Sequence, residues 1–148
     1  MNAAPEGNPI EAFNPLEVVL GLKPSFVAQT CSADIDHMVE TIRAGMNHKG
    51  FAFINVLQAC PTYNKFITHE WYLEHIRRIE MDFPDYDPTD LKQAREISES
   101  QDPFYLGQIY YNPERVNFLD AIEHRKEAKT LPINEVKHQD VSAALAKL

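Results

Sequence analysis

The side chains of this chain that could bind a metal or attack a carbonyl are two cysteines, six histidines and a run of aspartates, and their spacing decides which could act together. Cys60 is followed by Pro61, Thr62, Tyr63 and Asn64, so its sulfur sits where an apolar run stops abruptly. A thiolate there could serve as a nucleophile or as a soft metal ligand. Cys31 and Cys60 form neither a C-x-x-C pair nor a disulfide framework. A nucleophilic cysteine needs a nearby base, and His48 precedes the strand that leads to Cys60, which places it at that strand's opposite end. Residue types alone therefore favour buried structural roles for both cysteines, with the ligand reading of Cys60 left open.

The other clusters fail on geometry. A zinc-protease helix places two histidines at i and i+4, whereas His69 and His75 are separated by roughly 240° around a helix. Asp82, Asp85, Asp87 and Asp90 lack the central glycine and closing glutamate of a calcium loop, and Pro84 and Pro88 interrupt them, so a solvated capping loop is expected. The 5 glycines make no G-x-G-x-x-G or Walker pattern.

The elements that position Cys60 can be read from periodicity. Phe51, Phe53, Ile54, Val56 and Leu57 give a short β-branched and aromatic run, expected to be a strand buried on both faces and stopped at Pro61. Before it, Ile35, Met38, Val39, Ile42 and Met46 recur at helical spacing and predict a buried stripe, closed by Lys49 and Gly50. Residues 25–29 read as a small strand. Strand, helix and strand make a βαβ unit with parallel strands, which brings Cys31 and Cys60 to one sheet edge. That edge is where open α/β sheets hold ligands.

Around this unit, Asn14 and Pro15 open a short helix that ends at Gly21 and Pro24. Residues 68–81 predict one helix, Thr89 or Asp90 caps another over 91–98, and residues 105–111 read as an edge strand because Asn112 and Pro113 follow. Trp71, Tyr72, Phe83, Tyr86, Phe104, Tyr105, Tyr110 and Tyr111 are expected to form an exposed apolar patch. Residues 1–13 are expected to be flexible, 14–118 to form the α/β domain, and 119–148 to be a polar helical tail with helices near 118–126 and 141–147.

Composition bounds the partners. With 14 basic and 22 acidic residues the net charge is −8, which argues against nucleic acid. No apolar run approaches a membrane span and no signal-peptide pattern opens the chain, so a cytoplasmic protein with no membrane partner is expected.

FVAQ at 26–29, the amphipathic helix, HKGFAFINVL at 48–57 and CPTYN at 60–64 resemble, in order and spacing, the second half of the β subunit of 2-oxoacid:ferredoxin oxidoreductases of the pyruvate or 2-oxoglutarate type. Trp71 and Tyr72, the loop at 87–90 and LGQIYY at 106–111 fit the same family, so the resemblance covers roughly residues 14–118. It implies a partial Rossmann-like fold of the thiamine-diphosphate-binding type. It also implies a part in converting a 2-oxoacid and coenzyme A to acyl-CoA and carbon dioxide, with electrons passing through a [4Fe-4S] cluster to ferredoxin.

By resemblance, Cys60 is the last of the four cluster ligands, with Pro61 and Thr62 shaping the turn that aims its sulfur. No other residue receives a catalytic or cofactor-binding role. The family's earlier half, with its C-x-x-C, its third cysteine and the Gly-Asp-Gly loop that holds Mg²⁺ and thiamine diphosphate, has no counterpart in these 148 residues. The resemblance thus implies partners: the N-terminal half of the β subunit, an α subunit and ferredoxin. It also implies that the chain alone is inert and binds no thiamine diphosphate. The competing class is a noncatalytic interaction module, or a truncated fragment, in which Cys60 is structural.

Overall fold

The computed structural model describes residues 9–125, 127, 130–136 and 140–146, and the chain divides into two compact units, Met1–Arg115 and Val116–Leu148. In the first, Asn14 caps α1 (Pro15–Gly21), its Oδ1 accepting from Leu16 N at 3.0 Å, and Pro15 supplies the preset φ of a first helical residue. There follow β1 (Phe26–Cys31), α2 (Ile35–Asn47) and β2 (Ala52–Leu57), the βαβ unit expected from periodicity. Then come α3 (His69–His75), β3 (Ile76–Arg78), α4 (Ile79–Asp82), α5 (Leu91–Glu99) and β4 (Phe104–Tyr111).

The four strands lie in the order β2-β1-β4-β3. β1 pairs with β2 in parallel, from Phe26↔Ala52 to Cys31↔Leu57, and β3 pairs with β4 in parallel. The two halves meet at an antiparallel β1–β4 pair with a bulge between Val27 and Ala28. The chain is thus α/β. The core gathers Leu16, Val19 and Leu20 of α1, Ala94 and Ile97 of α5, and Val27, Ile79, Ile109 and Tyr110.

Four expectations are corrected. The stretch 68–81 is not one helix, because Ile76, Arg77 and Arg78 leave it to pair with Phe104, Tyr105 and Leu106. β4 is no sheet edge, since it pairs on both sides, and Pro113 lies beyond its last residue. β2 is not buried on both faces; it is an edge strand of intermediate exposure, and the strand buried throughout is β1. The stripe of α2 is turned outward. Ile35, Val39, Ile42 and Met46 are exposed, whereas His37, Thr41 and Gly45 face the sheet.

The aromatic residues are also less exposed than expected. Trp71, Tyr72 and Phe104 pack edge to face, as do Phe83 and Tyr105, and Tyr110 is buried. This mutual packing covers part of the surface that was expected to need a partner, and Phe83 stays exposed.

Among its described residues the second unit holds three short helices, α6 (Phe118–Ala121), α7 (Pro132–Val136) and α8 (Ser142–Leu145), with a 3₁₀ turn at Glu123–Arg125. Asn117 caps α6 through Asp120 N at 3.0 Å. The expected tail helix at 118–126 is broken after Ala121, where Ile122 caps α6 and the chain turns into the 3₁₀ segment, and within 141–147 the described helix is the short α8; most of the N-terminal segment 1–13 lies outside the described residues.

Candidate functional site at the Cys60 turn

Because β2 runs parallel to β1, its last residue comes level with Cys31, and Ser32 N donates to Leu57 O at 2.8 Å, tying the two strand ends together. Ala59 then packs inward, and Cys60 begins a turn. Tyr63 N and Asn64 N donate to Cys60 O at 3.2 and 2.9 Å, Asn64 Oδ1 accepts from Phe66 N and Ile67 N, and the Lys65 ammonium donates to Pro61 O. Thr68 Oγ1 accepts from Trp71 N at 3.2 Å and starts α3. The backbone of the turn is thus closed on itself, and the Cys60 thiol is left free and exposed. A shallow cavity of about 230 Å³ opens beside it, lined by Ala59, Pro61, Lys65 and Ile67 among others.

The expectation that Cys60 is a buried structural cysteine, drawn from residue type alone, is overturned by this exposure. Cys31 is fully buried. Burial pushes its thiol pKa up, the Ala33 N–H at 3.4 Å works against that, and Asp34 adds to the rise. It is a protonated core residue.

Of the other candidates only His69 reaches this corner, lining the same cavity with Glu70, and it makes no ligand set with Cys60. His69 Nε2 lies 3.3 Å from Ser32 Oγ, while His75 stacks on Trp71 at 3.8 Å and 14°. Among the described residues no group of three or more His, Cys, Asp or Glu could hold a metal ion. Asp87 and Asp90 behave as capping residues: Asp87 Oδ1 accepts from Thr89 N at 2.8 Å, and Asp90 Oδ1 accepts from Lys92 N at 2.8 Å at the start of α5.

His48 lies at the far end of the strands, as expected. Its Nε2 is 2.9 Å from Ser25 Oγ, a pair that invites comparison with a Ser–His dyad. Ser25 Oγ donates its single proton to Phe51 O at 2.8 Å, so His48 must be the donor to Ser25. The pair is a structural clasp with no free nucleophile.

Two polar features escaped sequence reasoning. Thr30, His37 and Thr41 form a buried cluster beneath α2, with His37 Nδ1 2.9 Å from Thr30 Oγ1, and the Asp34–Arg78 pair at 2.8 Å closes its end. On the other face, a pocket of about 790 Å³ between α1 and the end of α5 has Gln29 and Asn55 on its floor, their amides joined at 2.7 Å. The only sequence signal was the i, i+4 spacing of His37 and Thr41; one amide per strand gives none.

Known proteins resemble the chain over a stretch that includes this corner. Residues 60–127, beginning at Cys60 itself, match the family model for the C-terminal part of the pyruvate ferredoxin oxidoreductase beta subunit. The chain is 39% identical over 95 residues to the β subunit of a 2-oxoacid:ferredoxin oxidoreductase of a Sulfolobus species, covering 64% of this chain and 30% of that protein. It is 30% identical over 141 residues to subunit beta of 2-oxoacid:ferredoxin oxidoreductase 1 of Aeropyrum pernix, covering 88% of this chain and 44% of that one. Its fold superposes, with a TM-score of 0.71 and 27% identity, on a chain of 2-oxoglutarate:ferredoxin oxidoreductase from Magnetococcus marinus, solved with 2-oxoglutarate, coenzyme A and succinyl-CoA bound, covering 98% of this chain and 47% of that one. The chain spans less than half the length of each of these relatives. Matched in sequence from the start of the sheet through the Cys60 turn and in fold over nearly its whole length, the chain belongs to the 2-oxoacid:ferredoxin oxidoreductase β-subunit family and represents its C-terminal portion.

Proposed function

We propose that this chain acts as one component of a 2-oxoacid:ferredoxin oxidoreductase, supplying through Cys60 a single thiolate to a [4Fe-4S] cluster whose other ligands come from another polypeptide. The overall reaction takes a 2-oxoacid, coenzyme A and two oxidised ferredoxins to acyl-CoA, carbon dioxide, two reduced ferredoxins and a proton. The observation that carries the proposal is the exposed thiol at the carboxyl end of β2, on a turn whose backbone hydrogen bonds are already satisfied internally. A soft sulfur on a fixed support, facing out of its own chain, fits a shared thiolate site.

The donor set fits only as part of a larger one. Cys31 is buried and protonated, and the described residues hold no second cluster-forming group near Cys60. When bound, such a cluster would relay single electrons, and thiamine diphosphate with Mg²⁺, held by the partner half of the subunit, would carry the carbanion chemistry. This chain's own part is to fix one ligand and to pack against the rest of the β subunit, with the α subunit and ferredoxin as further partners in the cytoplasm. On this reading it is inert alone.

The test is Cys60→Ala in the assembled complex. Iron content and the low-temperature EPR signal of the cluster should fall, and ferredoxin reduction should fail while thiamine diphosphate still binds. Cys31→Ala should leave the signal intact. An unchanged four-iron signal in Cys60→Ala ends the assignment.

A further inference from the structure

The Cys60 turn is a single hydrogen-bonded helical turn, and that geometry decides which of its side chains lie on the side of the sulfur. Asn64 N donates to Cys60 O at 2.9 Å, and Tyr63 N shares the same acceptor at 3.2 Å. Side chains four apart on such a turn occupy one face, with Cβ atoms about 5–6 Å from each other, whereas side chains two apart do not face each other. Asn64 therefore shares the face of Cys60, and Thr62 does not.

Most donors of the turn are already spent. Tyr63 N and Asn64 N go to Cys60 O, the Lys65 ammonium goes to Pro61 O, and Phe66 N and Ile67 N donate to Asn64 Oδ1 at 2.9 and 3.1 Å. Two backbone N–H groups on one side-chain atom fix the orientation of the Asn64 carboxamide, because only its oxygen can accept. The oxygen is thus occupied, while the Nδ2 amide keeps two hydrogens with no partner among the described residues. Asn64 is half-buried and lines the cavity beside the thiol, so the free amide is anchored at one end and open at the other. The cap alone needs only an oxygen, which Ser or Asp supplies as well; what Asn adds is the nitrogen.

We propose that Asn64 Nδ2 donates a hydrogen bond to sulfur at the cluster site of Cys60, and that this bond raises the reduction potential of the cluster. The inference rests on the ligand reading of Cys60 given above and deepens it: Cys60 supplies a thiolate, and Asn64 supplies the N–H that tunes it. Reduction adds negative charge to a cluster and its thiolates. An N–H donor at sulfur therefore stabilises the reduced form more than the oxidised form, which is one of the levers by which a protein sets such a potential. A carboxamide held by its oxygen is pre-organised for this, since forming the bond requires no further ordering of the side chain.

The experiment is a redox titration of the cluster, followed by EPR in the assembled complex, on the wild type and on Asn64→Ser and Asn64→Asp. Both variants keep a capping oxygen and lose the amide. Each is expected to hold its iron and to move the balance of oxidised and reduced cluster toward the oxidised form by about tenfold or more, which is about 59 mV for one electron. Asn64→Asp, which also adds a negative charge, should move it further than Asn64→Ser. In the wild type, ¹⁵N in asparagine side chains should appear as a nitrogen coupling in the pulsed EPR spectrum of the reduced cluster, and Asn64→Ser should lose that coupling. An unmoved potential in Asn64→Ser would overturn the proposal, as would a wild-type spectrum without the coupling. Loss of iron from both variants would overturn it too, because Asn64 would then hold the ligand in place rather than tune it. An intact four-iron signal in Cys60→Ala removes the ligand reading itself, whereas iron loss there with an unmoved potential in Asn64→Ser removes the donor alone.

Discussion

Thr30 Oγ1 and His37 Nδ1 lie 2.9 Å apart in the buried layer between β1 and α2, with Thr41 Oγ1 3.5 Å from the other ring nitrogen. The imidazole is thereby spent on two hydroxyls. Burial lowers its pKa, and the Arg78 guanidinium lowers it further, outweighing the carboxylates of Asp34, Glu80 and Glu40. A histidine depressed in the folded state takes its proton later than it does in the unfolded chain. Its contribution to stability is full above the ordinary histidine pKa of about 6.5 and is lost as pH falls below it toward the folded value.

The urea midpoint should accordingly drop between pH 7.5 and pH 5.5, and His37→Gln should flatten that slope. Burial alone would raise the pKa of Asp34, but the His37 amide and the Arg78 guanidinium together hold it below the usual carboxylate range. Its loss belongs to a separate and more acidic window. An unchanged slope in His37→Gln would remove His37 as the source.

Gly50 has φ +154°, and a Cβ there would sit 2.6 Å from Ser25 Oγ and 2.8 Å from His48 Nε2. Gly50→Ala should break the clasp at the start of β1 and β2 and cost about 2 kcal/mol or more. Denaturant unfolding gives the number. A loss under roughly 0.5 kcal/mol, the range of neutral surface substitutions, would mean that the clasp yields freely.

The two thiols should behave oppositely. With Cys60 exposed and Cys31 fully buried, Ellman's reagent should titrate one thiol at once in the native chain and the second only on unfolding. Cys60→Ser should abolish the fast phase. Two fast thiols in the native chain would contradict the burial of Cys31.

Asp90 caps α5, whose Ala94 and Ile97 enter the core. Asp90→Ala should cost about 1 kcal/mol, and Asp90→Asn considerably less, because the amide oxygen can still accept from Lys92 N and Gln93 N. Equal losses in the two variants would show that charge, rather than the cap, is what matters.

Local chemistry was the most legible part of this fold. Caps at Asn14, Thr68 and Asp90 and the βαβ order around Cys60 follow from short-range rules, because each depends on residues within a few positions of one another. What escaped depends on distant partners. Ile76, Arg77 and Arg78 carry no strand signature of their own and are drawn out of a helical pattern by β4.

Hydrophobicity misled in a consistent way. β1 reads in the sequence only as a small strand, yet it lies inside the sheet, where Gln29 is satisfied by Asn55 and by Tyr105 O, and Thr30 by His37. β2 and α2 looked like core, and both turn apolar residues outward. A sequence shows how apolar an element is; it does not say whether the same chain provides the cover. At the Cys60 turn, the corner could be located from Pro61 and the preceding strand, whereas the exposure of the thiol needed the structure.

The antiparallel seam between β1 and β4 also sets the order of assembly. β1, α2 and β2 can find one another through short loops, but Gln29 must meet Tyr105 across 76 residues. Loop-closure entropy makes so distant a contact slow to form even when it is strong once made. The centre of the sheet is therefore expected to close late. While it stays open, β1 is unpaired on its inner side and β2 on its outer side, and the nascent βαβ unit is a ribbon with two live edges. Slow refolding with losses that rise with protein concentration is the kinetic signature of such a ribbon.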